Sequence, residues 1–180
     1  IADAQHANGA VPTTAPEYVV FEGSGMDAFA ESPEWGCTFV VLPFMYYETY
    51  GDDSLIRKYY NGMRRYIDYM TTRANDGIVS FGLGDWYDYG DFRAGFSRNT
   101  PVPLVATAHY YMVVRYLVEA ARMLDNRYDV AYYTHLGEEI NKAFHREFYH
   151  KDTRQYGTGS QCSNALPLFL GMVPADDRQA

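Results

Sequence analysis

The chain has 180 residues, of which 47% are hydrophobic and 21% charged, which is ordinary for a soluble globular protein built on one sizeable core. Its formal charge of −8, from 23 acidic and 15 basic side chains, argues against nucleic acid as a partner, because a phosphate footprint needs clustered Lys and Arg. No run approaches the ~18 apolar residues of a membrane span, and two cysteines, Cys37 and Cys162, suit neither a disulfide framework nor a zinc site.

Residues 1–9 carry neither the charged start nor the apolar core of a secretory signal. The chain opens on Ile1 rather than Met, so its start reads as a processed end, a cut edge or the first ordered residue of something longer. Val-Pro-Thr-Thr-Ala-Pro (residues 11–16) and Phe-Glu-Gly-Ser-Gly (residues 21–25) break any periodic pattern. Residues 1–35 are therefore expected to form a long loop leading into a first inner helix, at 36–50. That stretch is almost uncharged and apolar on most faces, as a buried helix would be, with Pro43 expected to kink or break it. Gly51 is suited to closing it and Asp52-Asp53 to capping the next. Ile56, Tyr59, Tyr60, Met63, Ile67 and Met70 then recur at helical steps, with Arg57, Lys58, Arg64, Arg65 and Asp68 between them, which predicts an amphipathic helix with one wet face.

Residues 74–100 read as a long loop. Within it, residues 82–90 run Gly-Leu-Gly-Asp-Trp-Tyr-Asp-Tyr-Gly and concentrate two carboxylates, three aromatics and three glycines. Glycine permits backbone angles that other residues resist, so the segment is expected to present side chains. Aromatic planes beside carboxylates suit a sugar cleft, where rings face the flat side of a pyranose and carboxylates accept from its hydroxyls. The competing reading is a Gly-rich turn pinned by one buried Trp. The 18 tyrosines fit either a sugar cleft or plain helix packing.

A second apolar helix is expected at 102–124. An amphipathic one follows at 128–148, with Val130, Leu136, Ile140, Ala143, Phe144 and Phe148 on one side, and a third apolar segment at 161–172. Fully buried helices alternating with half-wet ones imply two concentric layers, an all-α fold with the pattern of an α/α toroid. The long loops would then emerge on one rim, bringing together residues 32–36, 82–90 and 155–161. Cys37 before Pro43 and Cys162 before Pro167 give a faint echo of repeated hairpins. About two and a half hairpins can be counted. The surface this leaves exposed is expected to meet the remainder of the same polypeptide or a self-association partner.

Ser-Pro-Glu-Trp-Gly (residues 32–36), Tyr-Gly-Asp (50–52), Gly-Asp-Trp (84–86), Leu-Val-Ala-Thr-Ala-His-Tyr (104–110) and Gln161 before Ala165-Leu166 together resemble the catalytic domain of bacterial α-L-rhamnosidases, glycoside hydrolase family 78. The resemblance runs along nearly the whole chain. It implies a six-hairpin (α/α)6 toroid, with residues 1–180 a partial catalytic domain, and an inverting hydrolysis of terminal α-L-rhamnosyl residues. Inversion needs an acid and a base on opposite faces of the sugar, roughly 6.5–9.5 Å apart. The acidic motif that carries the family's general acid has no match here, so both catalytic carboxylates are expected outside this chain.

The resemblance leaves substrate contacts: Trp35 and Trp86 as walls of the sugar subsite, Asp85 as hydroxyl acceptor, and Asp88 and Gln161 as further contacts. Each has a structural competitor. Either Trp could be core, Asp85 could cap a turn, and Gln161 could cap its own helix. The five histidines show no metal-ligand spacing, His109 is expected to be a hydrogen-bonded core residue, and no metal or cofactor is expected. Two other readings stand beside the first: a different (α/α)6 glycosidase, and a non-catalytic helical-repeat interaction module.

Overall fold

The computed structural model describes residues 1–21, 23 and 25–178. Ahead of the helices, residues 1–31 contain two 3-10 turns, Ala2–Ala4 and Asp27–Phe29. Part of this segment is pinned to the helices rather than free. Ala10 and Val11 are buried, and Gly9, at φ +96°, lies so close to the Arg65 carbonyl that a Cβ would come within 2.2 Å of its oxygen.

Helix α1 (Pro33–Gly36) leads through Cys37 into α2 (Thr38–Tyr50). Pro43 lies inside α2 and does not break it. A proline removes one intrahelical hydrogen bond, and here it is buried with Phe39, Val40 and Phe44, so packing offsets that loss. Gly51 closes α2 at φ +70°, its N–H donating to the Tyr47 carbonyl at 2.8 Å.

Helix α3 (Ser54–Arg73) buries Ile56, Tyr60, Met63, Ile67 and Met70, the stripe its periodicity predicts. Its start differs in detail. Asp53 occupies the N-cap position without a side-chain cap bond and pairs with Arg57 at 2.7 Å, while Asp52 Oδ1 accepts the Ser54 N–H at 2.8 Å.

The segment after α3 holds an unpredicted hairpin, β1 (Asp88–Gly90) and β2 (Phe92–Gly95), antiparallel with an irregular register. Helix α4 (Val102–Met123) follows and touches α2, α3, α5 and α6. Asp125, at φ +53°, reverses the chain into α5 (Arg127–Phe148). There Asn126 Oδ1 accepts the Asp129 N–H at 3.2 Å while its Nδ2 donates to Asp129 Oδ2 at 2.8 Å, a reciprocal cap. A short ladder, β3 (Tyr149–His150) with β4 (Gln155–Tyr156), precedes α6 (Gln161–Phe169), which stops short of the expected end. Gly171, left-handed at φ +69°, turns the chain there.

Helices α2, α4 and α6 thus form one wall, with α3 and α5 behind it: two and a half hairpins of a helical toroid. One core cluster joins α2, α3 and α4 with Tyr133 and Ile140 of α5; a second joins Leu104, Val105 and Ala108 of α4 to Phe144, Phe148, Tyr156 and Leu170. Behind the wall, buried Asp129 accepts from Tyr60 Oη at 2.7 Å and pairs with Arg64 Nε at 3.4 Å, so one carboxylate ties the two outer helices together. On both flanks the wall leaves apolar side chains in solvent, Leu42 and Met45 on α2, Leu168 and Phe169 on α6.

Candidate functional site

All three inner helices start on the same rim, and hydrogen bonds knit their leading segments together. Ser32, at the N-cap of α1, accepts the Leu83 N–H on its hydroxyl at 2.9 Å and donates to the Glu34 carboxylate. Glu34 Oε1 in turn accepts the Gly84 N–H at 3.0 Å. Gly82 makes this approach possible: at φ +115°, it would place a Cβ 2.7 Å from Pro33 Cδ and 2.9 Å from the Glu34 carboxylate. On the other side, Thr100 Oγ1 donates to Asp85 Oδ2 at 3.2 Å and lies 2.7 Å from Ser160 Oγ, the cap of α6. Residues 32–34, 82–85, 100 and 160 therefore meet, as the toroid reading expects.

Of the proposed contacts, Trp35 stands on α1 with 38% of its surface exposed, one residue after the glutamate that holds Gly84. Asp85 is half-buried, with Oδ2 engaged by Thr100. Trp86 is not a lone buried pin. Its ring meets Phe29 edge-on at 5.0 Å, Phe96 at 5.4 Å and Tyr87 at 5.9 Å, and Phe29 also touches Phe21 at 5.6 Å. Gln161 is exposed at the first position of α6, and the cap belongs to Ser160, which accepts the Ser163 N–H at 3.2 Å.

Asp88 has a different task. Only 9% exposed, its Oδ2 accepts the N–H groups of Arg98 and Asn99 at 2.7 and 2.6 Å, while Oδ1 is buried without a partner. The carboxylate closes the hairpin's return loop from the inside. That geometry gives a hydroxyl of a surface-bound sugar no open oxygen to approach.

The sequence reading passed over Ser32, Glu34, Thr100 and Ser160 as site-builders, although Ser32 and Glu34 lie in a motif it quoted. Phe29 and Phe96, which frame Trp86, carry no periodic signal and could not have been picked out. His109 is bonded locally, its Nδ1–H donating to the Val105 carbonyl one turn back on α4 at 2.8 Å. Burial and the adjacent Asp85 carboxylate push the Cys162 thiol up to about 11, which makes it a poor nucleophile. Among the described residues no cluster of His, Cys, Asp and Glu has the makings of a metal site, and no helix is long and apolar enough to cross a membrane.

Residues 1–180 match the family model of the bacterial alpha-L-rhamnosidase six-hairpin glycosidase domain. The chain belongs to this family. Among relatives of the six-hairpin domain, an alpha-L-rhamnosidase of Streptomyces avermitilis is 28% identical over 180 residues, covering 99% of this chain and 16% of its own length. One from Formosa agariphila is also 28% identical, over 153 residues, covering 80% of this chain and 16% of its own length. The solved alpha-L-rhamnosidase of Dictyoglumus thermophilum superposes with a TM-score of 0.86 at 29% identity, over 99% of this chain and 20% of that one. The Streptomyces avermitilis enzyme, solved in complex with L-rhamnose, gives 0.81 at 25% identity, over 98% of this chain and 16% of that one. The chain thus spans about a sixth to a fifth of the length of these relatives, and within that span it holds the hairpins described above.

Proposed function

We propose that the polypeptide carrying this domain hydrolyses terminal α-L-rhamnosyl residues with inversion, and that these 180 residues supply one wall of the sugar site. The observation that supports the reading is the knitting together, on one rim, of the segments that hold Trp35, Asp85-Trp86 and Gln161, in a chain of the rhamnosidase six-hairpin family.

The carboxylates of this rim divide by what they already hold. Glu34 is taken by Gly84 and Ser32, and Asp88 by Arg98 and Asn99. Asp85 shares one oxygen with Thr100, which orients the group and leaves the second to accept from a sugar hydroxyl. An acid and a base on opposite faces of a pyranose need a separation that two residues of one loop are poorly placed to span. We therefore place both catalytic carboxylates outside this chain and give Asp85 a positioning task, with Trp35 and Trp86 presenting rings to the apolar face of the sugar.

The test has two arms. The 180-residue chain by itself should release no rhamnose from an aryl rhamnoside, whereas the intact protein should release it with inverted anomeric configuration, followed by NMR at early times. Turnover by the chain alone would refute the placement of the carboxylates, and a retained configuration would refute the mechanism.

A further inference from the structure

We propose that Phe29 is a positioning residue of the sugar site, setting the angle at which the Trp86 ring meets the sugar. This rests on the rhamnosidase reading, which places a sugar against Trp86, and deepens it by naming what holds that ring.

Two segments far apart in sequence are clasped together here. Ser32 Oγ accepts the Leu83 N–H at 2.9 Å and Glu34 Oε1 the Gly84 N–H at 3.0 Å, so residues 32–34 fix the backbone that leads to Trp86. Backbone bonds leave a side chain its own torsions to settle, and for the indole the neighbouring rings settle them. Phe29 meets Trp86 edge-on at 5.0 Å with an interplanar angle of 81°, and Phe96 meets it at 5.4 Å and 79°. Phe29 and Phe96 also meet each other, at 5.9 Å and 72°. The three rings stand nearly perpendicular to one another, like the faces of a corner. Edge-to-face contacts are directional, so turning any one ring spoils two of them. Phe21, 5.6 Å from Phe29, adds a fourth ring, and Phe29 is the member that touches the other three.

The ring of Phe29 is presented by a backbone that is itself held. Phe29 closes the 3-10 turn Asp27–Phe29, its N–H donating to the Met26 carbonyl at 2.9 Å. Asp27 Oδ1 accepts the Gly23 N–H at 2.8 Å, and the Ala30 carbonyl accepts the Thr13 N–H at 3.1 Å. Two residues further on, buried Ser32 joins the loop of Trp86 directly.

Where the rings lie separates positioning from plain packing. None of the four belongs to either core cluster; Phe29 and Trp86 are half-buried, and Phe96 is 47% exposed. The cluster therefore stands outside the contacts that hold the helices to one another. What it orders is the indole next to Asp85.

The experiment uses the intact protein labelled with fluorotryptophan, the fluorine NMR resonance of Trp86 being identified by its loss in Trp86→Phe. Phe29→Leu keeps apolar bulk without a ring edge, and Phe29→Tyr keeps the ring. L-rhamnose should shift the Trp86 resonance of the parent protein. Phe29→Leu should move that resonance before any ligand is added. It should also raise the Kd for L-rhamnose and the KM for an aryl rhamnoside about three- to tenfold. Its kcat should stay near that of the parent, as loss of uniform binding implies, and its melting temperature should hold. Phe29→Tyr should restore the resonance, Kd and KM. An unmoved resonance in Phe29→Leu, a moved one with unchanged Kd, or losses that merely follow the melting temperature in both variants would each overturn the proposal. If the parent hydrolyses the rhamnoside while its Trp86 resonance ignores L-rhamnose, Phe29 and Trp86 both lose their roles and the rhamnosidase reading stands. A parent that neither binds nor cleaves any rhamnoside removes that reading and the proposal with it.

Discussion

Glu34 Oε1 accepts the Gly84 N–H at 3.0 Å, so a side chain at the head of the first inner helix fixes the backbone one residue before Asp85. The bond spans 50 residues of sequence and sets where Asp85 and Trp86 stand relative to Trp35. Glu34→Gln keeps an acceptor but loses the charge, and Glu34→Ala loses both. We expect Glu34→Ala to lower kcat/KM of the intact protein about tenfold and Glu34→Gln to recover most of it, since a neutral amide oxygen can still accept the Gly84 N–H and such a bond contributes about 0.5–1.5 kcal/mol. Equal losses in both variants, measured on one aryl rhamnoside, would count against a positioning role.

Asp85→Ala should weaken catalysis far more than it weakens the fold. Its carboxylate meets the Thr100 hydroxyl and the Cys162 thiol and is half-buried, so less stability hangs on it than on a fully buried ion pair. We expect kcat/KM to fall by about 10- to 100-fold with a melting temperature close to that of the parent. If stability collapsed while the remaining folded protein kept its activity, Asp85 would be a turn cap.

Asp129→Ala should do the reverse. The carboxylate is 2% exposed and holds Tyr60, Asn126 and Arg64, so its removal strands three groups at the junction of the outer helices. A loss of about 2–3 kcal/mol follows from unsatisfied buried partners, with kcat/KM unchanged in protein that remains folded. Denaturant titration beside a rate measurement separates this outcome from that at Asp85.

Gly82→Ala tests the close approach of loop and helix. At φ +115°, with Pro33 Cδ 2.7 Å from the added Cβ, the substitution strains the backbone and collides with α1. We expect a cost of about 2 kcal/mol and a fall in activity, since the loop that carries Asp85 is pushed off Ser32 and Glu34. Normal stability and activity would show that the approach is looser than the contacts require.

Alkaline pH offers a test of the core. Burial raises the phenols of Tyr110 and Tyr156 to about 12, against an ordinary value near 10. The folded state holds these protons more tightly than the unfolded chain does. Their contribution to stability is therefore complete below about pH 10 and is lost as pH rises from there towards 12. Absorbance of tyrosinate should show a cooperative step coinciding with unfolding by circular dichroism, and Tyr110→Phe should reduce its amplitude. Smooth ionisation of every tyrosine at ordinary pH would refute the burial.

The elements that the sequence reveals are those whose stability is written in periodicity. Helices α3 and α5 bury one stripe each, and Ile56, Met63, Ile140 and Phe144 announce it. An early break at Pro43 is suggested by local propensity alone, which ignores what tertiary packing returns to a buried helix. The hairpin escaped notice because its strands are short, glycine-rich and irregular in register, so no alternation develops. In the site, the clustering of Asp85 and Trp86 was visible in composition. The separate task of Asp88 was not, because nothing in the order of residues tells whether a carboxylate turns towards solvent or towards the N–H groups of residues ten and eleven positions later.

The tight turns at Gly51 and Asp125 close one end of the hairpins with left-handed residues, while the connections of residues 74–101 and 149–160 leave from the other. The short turns and the long connections thus lie at opposite ends of the hairpins. Under the proposed function, insertions into the long connections would change the surroundings of the sugar while leaving the helix contacts in place, whereas a residue added at Gly51 or Asp125 would shift one helix against its neighbours. Substrate range in such a scaffold can drift quickly at one end while the architecture stays locked at the other.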